Sequence, residues 1–198
     1  MAKRRQAGLT TPDLVLLSLL AERPMHGYQA NLELERREVK DWAGISRPQV
    51  YYSLDKLAEM ELIRSSRDEQ AAAGPERRVL STTAKGRKAL ASALADEHWA
   101  TQRERPPFLT WLALSWQADA KTFVEQLRRR RVFLGTELER EQAVLQSVRK
   151  EVGHEFHEAI WMLTLTIEQF RTELRWLEKL EQESAHRAAA KHPTLVEG

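Results

Sequence analysis

The 198-residue chain contains no cysteine. Disulfides and thiolate chemistry are therefore excluded, and a reducing compartment is permitted. It also lacks any apolar run long enough to span a bilayer. The run Leu14 to Leu20 follows Lys3, Arg4 and Arg5, but it is at the short limit for a secretory h-region. Asp13 abuts it on one side, and Glu22 and Arg23 follow on the other. Thr11 as N-cap and Pro12 at the first helical position mark the start of an ordinary buried helix. The expected location is the cytoplasm, with no membrane partner. No Gly-rich phosphate loop and no serine-centred elbow occurs, so no enzyme and no cofactor is expected.

Charge is present in quantity but is unevenly placed. Hydrophobic residues are 42% and charged residues 30%, which suits a folded chain with a charged surface. The formal net charge of +2 divides into +4 over residues 1–90 (16 basic, 12 acidic) and −2 over 91–198 (15 basic, 17 acidic). Residues 62–88 alone hold seven basic and three acidic side chains. This bias points mildly to an anionic partner for the first half.

The first half reads helix, helix, helix, hairpin, helix. The first helix spans about Thr11 to Glu22 and stops at Arg23-Pro24. The second spans about His26 to Glu38, with Tyr28, Leu32 and Leu34 inward. Asp41 to Ile45 is a connector. The third lies within SRPQVYYSLDKLAEMELI, residues 46–63. Leu62 to Arg64 and Arg77 to Thr82 read as two strands around the polar loop Asp68 to Glu76. Thr83 opens a further helix to about Arg103. His26-Gly27-Tyr28 is read as structural: a helix cap, a close-packing glycine and a core tyrosine.

On a wheel of about 100° per residue, Val50, Tyr51, Leu54, Leu57 and Ala58 share one arc of the third helix. Gln49, Tyr52, Ser53 and Lys56 share the opposite arc, with Asp55 at the border. Gln and Ser can bond to base edges or phosphates, Lys to phosphate, and Tyr to either. Arg47 stands at the N-terminus, where backbone N–H groups favour a phosphate. Helix, break, helix and basic hairpin in this order are the layout of a winged helix-turn-helix.

The sequence resembles the PadR family of bacterial transcriptional regulators. The resemblance rests on Leu14 to Leu20, on Pro24-Met25-His26-Gly27-Tyr28, and on Tyr51-Tyr52-Ser53-Leu54-Asp55-Lys56-Leu57. It continues through Leu62-Ile63-Arg64, Gly74-Pro75-Glu76-Arg77-Arg78 and Leu80 to Arg87. It covers the first 90 residues. The family pattern has Gly where Glu61 stands, and a left-handed backbone there would cost Glu about 1 kcal/mol. The family's returning wing strand is tyrosine-rich, whereas Val79-Leu80 stand here. The resemblance implies a DNA-binding regulator, with larger members carrying a long helical C-terminal domain and responding to phenolic or multidrug-like compounds.

Pro106-Pro107 marks a boundary, and the second half is nearly all helix. A long helix runs from about Ala120 to Val152 and breaks at Gly153. Phe156, Ile160, Leu163, Ile167, Phe170, Leu174 and Leu177 then form an a/d seam. Two such helices should form an antiparallel hairpin, which favours a second copy of the chain. Five of the six tryptophans, Trp99, Trp111, Trp116, Trp161 and Trp176, lie after residue 98. They either pack or wall an apolar pocket for an aromatic effector. Glu151–His154 and Glu183–His186 have di-iron ligand spacing, but one straddles Gly153 and the other lies in a polar tail, so no metal site is expected.

The expected fold is thus mainly α with a small β-hairpin wing. Residues 1–104 form the winged helix-turn-helix domain, 105–185 an antiparallel helical dimerisation domain, and 186–198 a frayed tail. The expected function is a homodimeric repressor reading a palindromic operator in double-stranded DNA. Arg47, Gln49, Tyr52, Ser53, Lys56, Arg77 and Arg78 are the expected contacts. The alternative is a helical protein-interaction module whose winged helix does not read DNA.

Overall fold

The computed structural model describes residues 8–67 and 78–184. The expected loop Asp68 to Glu76, Arg77 and the tail 186–198 lie outside the described residues. The chain divides into two compact units that part between Arg103 and Glu104. Among the described residues, no helix is long and apolar enough to cross a membrane.

The first unit runs α1 (Thr11–Glu22), β1 (Met25–His26), α2 (Gly27–Arg36), α3 (Val39–Ala43), α4 (Arg47–Glu59), β2 (Ile63–Arg67), β3 (Arg78–Thr82), α5 (Ala84–Leu94) and α6 (His98–Thr101). Leu16, Leu17 and Leu20 of α1 meet Val50, Leu54 and Leu57 of α4 and Leu62 and Ile63 in one core. Thr10, not Thr11, is the N-cap of α1. Pro12 is therefore its second residue, where the missing N–H has no helical partner to lose.

Three antiparallel strands lie in the order β1-β3-β2. Ile63 faces Thr82, Arg64 faces Ser81 and Arg67 faces Arg78. Met25 and His26 add a third strand against Leu80 and Val79. The inner face of α2 is Ala30, Asn31 and Leu34. Contrary to the expected core positions, Tyr28 and Leu32 are 49% and 55% exposed. Each sits about 200° around the helix from Ala30 or Leu34 respectively, so neither can share their face. The helix expected from Thr83 to Arg103 stops at Leu94. Asp96 then accepts from His98 N at 3.0 Å and opens α6.

One buried ion pair sets how α4 sits on α1. Asp13 is fully buried. Its Oδ2 accepts from Thr10 N at 2.7 Å, Thr10 Oγ1 at 2.8 Å and Lys56 Nζ at 2.6 Å. Burial alone pushes this carboxyl up. Lys56, the Thr10 backbone and hydroxyl, and Ser53 together outweigh burial and hold it below the ordinary value. At the α1–α2 corner, Arg37 pairs with Glu22 at 2.6 Å and with Glu33 at 2.8 Å. The Arg36 guanidinium, against the opposing effect of burial and with help from Arg37, brings Glu33 down to about 2.

α4 ends in a Schellman motif, with Leu62 N donating to Leu57 O and Glu61 N to Ala58 O, both at 2.9 Å. Glu61 is left-handed, with φ 59°. The N-terminus of α5 closes on this junction: Thr83 N donates to Leu62 O at 2.9 Å and Lys85 Nζ to Met60 O at 2.8 Å. Gly86 is required there, because a Cβ would stand 2.1 Å from Leu62 O.

The second unit holds α7 (Pro107–Leu114), a 3-10 turn (Ser115–Gln117), α8 (Ala120–Val152) and α9 (Glu158–Ser184). α8 is about 50 Å long at 1.5 Å per residue. Gly153 ends it in a left-handed turn, φ 75°. α8 and α9 form an antiparallel hairpin, with Arg130 bonded to both carboxylate oxygens of Glu173 at 2.8 and 2.9 Å. Leu145, Ile160, Leu163 and Ile167 form one core along it, and Phe123, Leu127, Leu134 and Leu177 another. Phe156 is an exception to the seam. It precedes α9 and is 83% exposed, because the chain only resumes helix at Glu158 after the Gly153 turn.

Replacing Lys56 by Met should destabilise the first unit by roughly 3–5 kcal/mol in chemical denaturation, the cost of stranding a buried charge. Asp13 has a depressed folded value, so its stabilisation is present above its ordinary value of 3.8 and fades as pH falls below it. The stability gap between wild type and Asp13→Asn should therefore narrow as pH is lowered through that range. Glu61→Gly should raise stability by up to about 1 kcal/mol, through relief of left-handed strain. The Lys85–Glu61 pair it removes is largely exposed and contributes little.

Candidate nucleic-acid interface

α4 begins with a capping box. Ser46 N and Ser46 Oγ both donate to Gln49 Oε1, at 2.8 and 2.7 Å. The carbonyl of Gln49 is thus committed to starting the helix, and its exposed amide NH2 stays available. The buried arc of α4 is Val50, Ser53, Leu54 and Leu57. Exposed are Arg47, Pro48, Gln49, Tyr51, Tyr52, Asp55, Ala58 and Glu59.

This differs from the sequence wheel in four places, the simplest being Ala58, expected in the packed arc and exposed. Ser53 is 2% exposed and cannot touch an external partner. It falls about 40° beyond Leu57 on the wheel, on the flank of the packed arc, and helps keep Asp13 anionic. Tyr51, expected in the core, is 48% exposed, and Tyr52 is 73% exposed. Lys56 is not a free phosphate contact: its side chain is 18% exposed and is held by Asp13. It sits at the edge of the buried arc, where the buried carboxylate draws it in. Tyr51 and Asp55 are the outward residues the wheel left out. The signal for both was the Val50-Leu54-Leu57 spacing, which centres the buried arc away from them.

Arg47 is exposed at the first position of α4 and bonded to Glu35 Oε1 at 2.7 Å, which raises its guanidinium above the ordinary value. The strand pair β2–β3 adds Arg64, Ser65, Ser66 and Arg78, all exposed. Arg64 Nε donates to Ser81 Oγ at 3.3 Å, which aligns it across the ladder. His26 Nδ1 lies 3.2 Å from Arg78 O, tying the start of α2 to the strand that carries Arg78. The arrangement offers an outward helix face of two phenols, two carboxylates (Asp55 and Glu59) and an amide. Beside it stand two strands bearing guanidinium groups. Such a set can hydrogen-bond base edges from the helix and phosphates from the strands.

In the second unit, Trp111 stacks between Phe108 and Phe123, at 5.3 and 5.7 Å, as part of the packing. Trp116, Trp161 and Trp176 are 47%, 54% and 42% exposed. Trp176 borders a surface groove with Glu168, Gln169, Thr172 and Glu173. In the first unit, Trp99 is 49% exposed and its Nε1 donates to Ala93 O at 2.8 Å. The His154 and His157 rings lie 6.3 Å apart, and their Nδ1 atoms accept from Phe156 N and Ala159 N. Among the described residues no group of three or more His, Asp or Glu could hold a metal ion. His186 lies outside those residues.

A family model described as the transcriptional regulator PadR-like family matches residues 16–92. No curated protein matches the chain. Among solved structures, the fold is similar to Bacillus subtilis PadR in complex with operator DNA. That match has 15% identity and a TM-score of 0.74, and covers 89% of this chain and 98% of that one. The same protein in complex with p-coumaric acid matches at 15% identity and TM-score 0.67, over 89% and 100% of the two chains. A PadR-like transcriptional regulator from Bacillus cereus matches at 19% identity and TM-score 0.61, over 90% and 98%. At these identities the likeness is one of fold. With the matched family model, it identifies residues 16–92 as a winged-helix domain of the PadR-like transcriptional regulator family.

Proposed function

We propose that the protein is a sequence-specific DNA-binding regulator, acting as a homodimeric repressor on a palindromic operator. The observation that carries this reading is the outer face of α4. Its inner face is packed and pinned through Lys56, while Tyr51, Tyr52 and Asp55 stand outward together. A helix held so firmly on one side and polar on the other suits a major groove. Tyr52, Tyr51 and the amide of Gln49 read bases, and Arg47 exchanges Glu35 for a phosphate. Arg64, Arg78 and Arg77 hold the backbone. In a dimer, the two reading helices would meet half-sites roughly 34–36 Å apart.

Homodimerisation is supported by what the α8–α9 hairpin leaves over. Its seam is consumed within the chain, yet Val132, Phe133, Trp161 and Leu165 are each more than half exposed. Relief of repression by a small aromatic molecule belongs to the same reading. It is supported by the fold shared with the protein solved with p-coumaric acid, and by exposed Trp161 and Trp176 as candidate contacts. An effector would act by binding one spacing of the two reading heads better than the other.

A selection from random duplex DNA should return a two-fold symmetric site. Tyr52→Ala should weaken binding to it by about 1–3 kcal/mol, the scale of one base-reading contact, with the melting temperature unchanged. Arg78→Ala should weaken all duplexes alike and lower the salt slope by about 1. Equal, weak binding of selected and random DNA by the wild type would instead favour the protein-interaction module. In sedimentation, the wild type should run as a dimer and the double variant Trp161→Glu, Leu165→Glu as a folded monomer.

A further inference from the structure

Two exposed carboxylates of α4, Asp55 and Glu59, make no side-chain hydrogen bond or ion pair among the described residues, and Asp55 is the one flanked by both outward tyrosines. Asp55 is exposed, and among the described residues its side chain makes no hydrogen bond and no ion pair. Its neighbouring cations are occupied: Lys56 by Asp13 at 2.6 Å and Arg47 by Glu35 at 2.7 Å. On the wheel, Asp55 lies between Tyr51 and Tyr52 and about 140° from Val50, near the centre of the outward face. A free carboxylate is therefore placed where the proposed reading face would meet DNA.

A carboxylate there has only one productive use. It accepts hydrogen bonds and donates none, so it is repelled by phosphates. In the major groove it is also repelled by the acceptor atoms of guanine, N7 and O6, and by thymine O4. The groove offers it donors at the amino groups of cytosine and adenine. Adenine's amino group sits beside the N7 acceptor, which opposes the second carboxylate oxygen. Cytosine's amino group sits beside a C5–H edge, which does not. The geometry points to Asp55 as a specificity-determining residue that accepts a hydrogen bond from the exocyclic amino group of one cytosine in each half-site and penalises other bases there. This rests on the DNA-reading function proposed above and names the base class that the face selects. The binding energy must then come from elsewhere, from Arg47 and the strand guanidiniums. Asp55 lowers affinity for wrong sequences, which is how discrimination by an unpaired charge works.

The test uses full-length wild type, Asp55→Ala and Asp55→Asn, all expected to melt alike because the side chain is exposed. Each is put through selection from random duplex DNA. The sequence selected by the wild type then serves as probe, together with the same duplex carrying pyrimidin-2-one, which lacks the amino group, in place of the assigned cytosine. Wild type should prefer cytosine at one position per half-site by about tenfold to a hundredfold, the scale of a specific base contact. It should lose that preference when the amino group is removed. Asp55→Ala should show no preference at that position, no response to pyrimidin-2-one, and tighter binding to random DNA. An Asp55→Ala protein that selects the same site with the same discrimination overturns the inference and leaves the DNA-reading function standing. Uniform tightening on every duplex, with base preferences intact, overturns it too, since the carboxylate then only repels. A wild type that selects no sequence removes both.

Discussion

The buried Asp13–Lys56 pair is the constraint on which the candidate interface depends. A carboxylate inside a leucine-rich core is tolerated only because three donors converge on one of its oxygens. The other oxygen, Oδ1, is buried without a hydrogen-bond partner, so the pair is not an optimised source of stability. Its use is geometric. A lysine one residue from the packed ridge of α4, held at 2.6 Å by the first turn of α1, leaves α4 little freedom to roll about its axis. Which residues of α4 face outward is set by that roll, and the same contact removes Lys56 from the outward set.

The pattern repeats across the first unit. Glu22, Glu33, Arg36 and Arg37 bind one another at the α1–α2 corner, and Glu35 holds Arg47. The basic excess counted along the sequence is therefore not a free basic surface on α4. The exposed guanidiniums at Arg64 and Arg78 belong to the strands. The exposed positive charge and the polar, partly acidic outward face of α4 thus fall on different elements.

How much of this was legible follows from what each signal depends on. The boundaries of α1 and α8 could be read closely, since caps, prolines and Gly153 are local. The two-residue strand β1 and the short α3 had no periodicity of their own and exist through pairing and packing. The seam of α9 was legible except at Phe156, where the heptad phase continued past the helix. The site was read less well. Hydrophobicity placed Tyr51 with the core and Ser53 outside it, whereas the structure does the reverse. Tyrosine is amphipathic and tolerates a wet position. A serine is cheap to bury when a buried carboxylate lies beside it. The partner of Lys56 is 43 residues away in sequence, and no local pattern discloses that.

The junction after α4 shows why the family's glycine position could hold Glu61. A helix that ends in a Schellman motif needs one left-handed residue, and glutamate adopts that conformation at a cost of about 1 kcal/mol. The surroundings over-determine it. Leu57 and Ala58 carbonyls capture the next two N–H groups, Thr83 Oγ1 donates to Glu61 O at 2.9 Å, and Lys85 reaches both Met60 O and the Glu61 carboxylate. Gly86 lets α5 approach until no Cβ would fit. The strain is thus held between the C-terminus of α4 and the first residue of β2, with α5 as the clamp. A helix and a strand pair joined in this way cannot swing independently at their base. Any reorientation of α4 must then carry the β2–β3 pair with it.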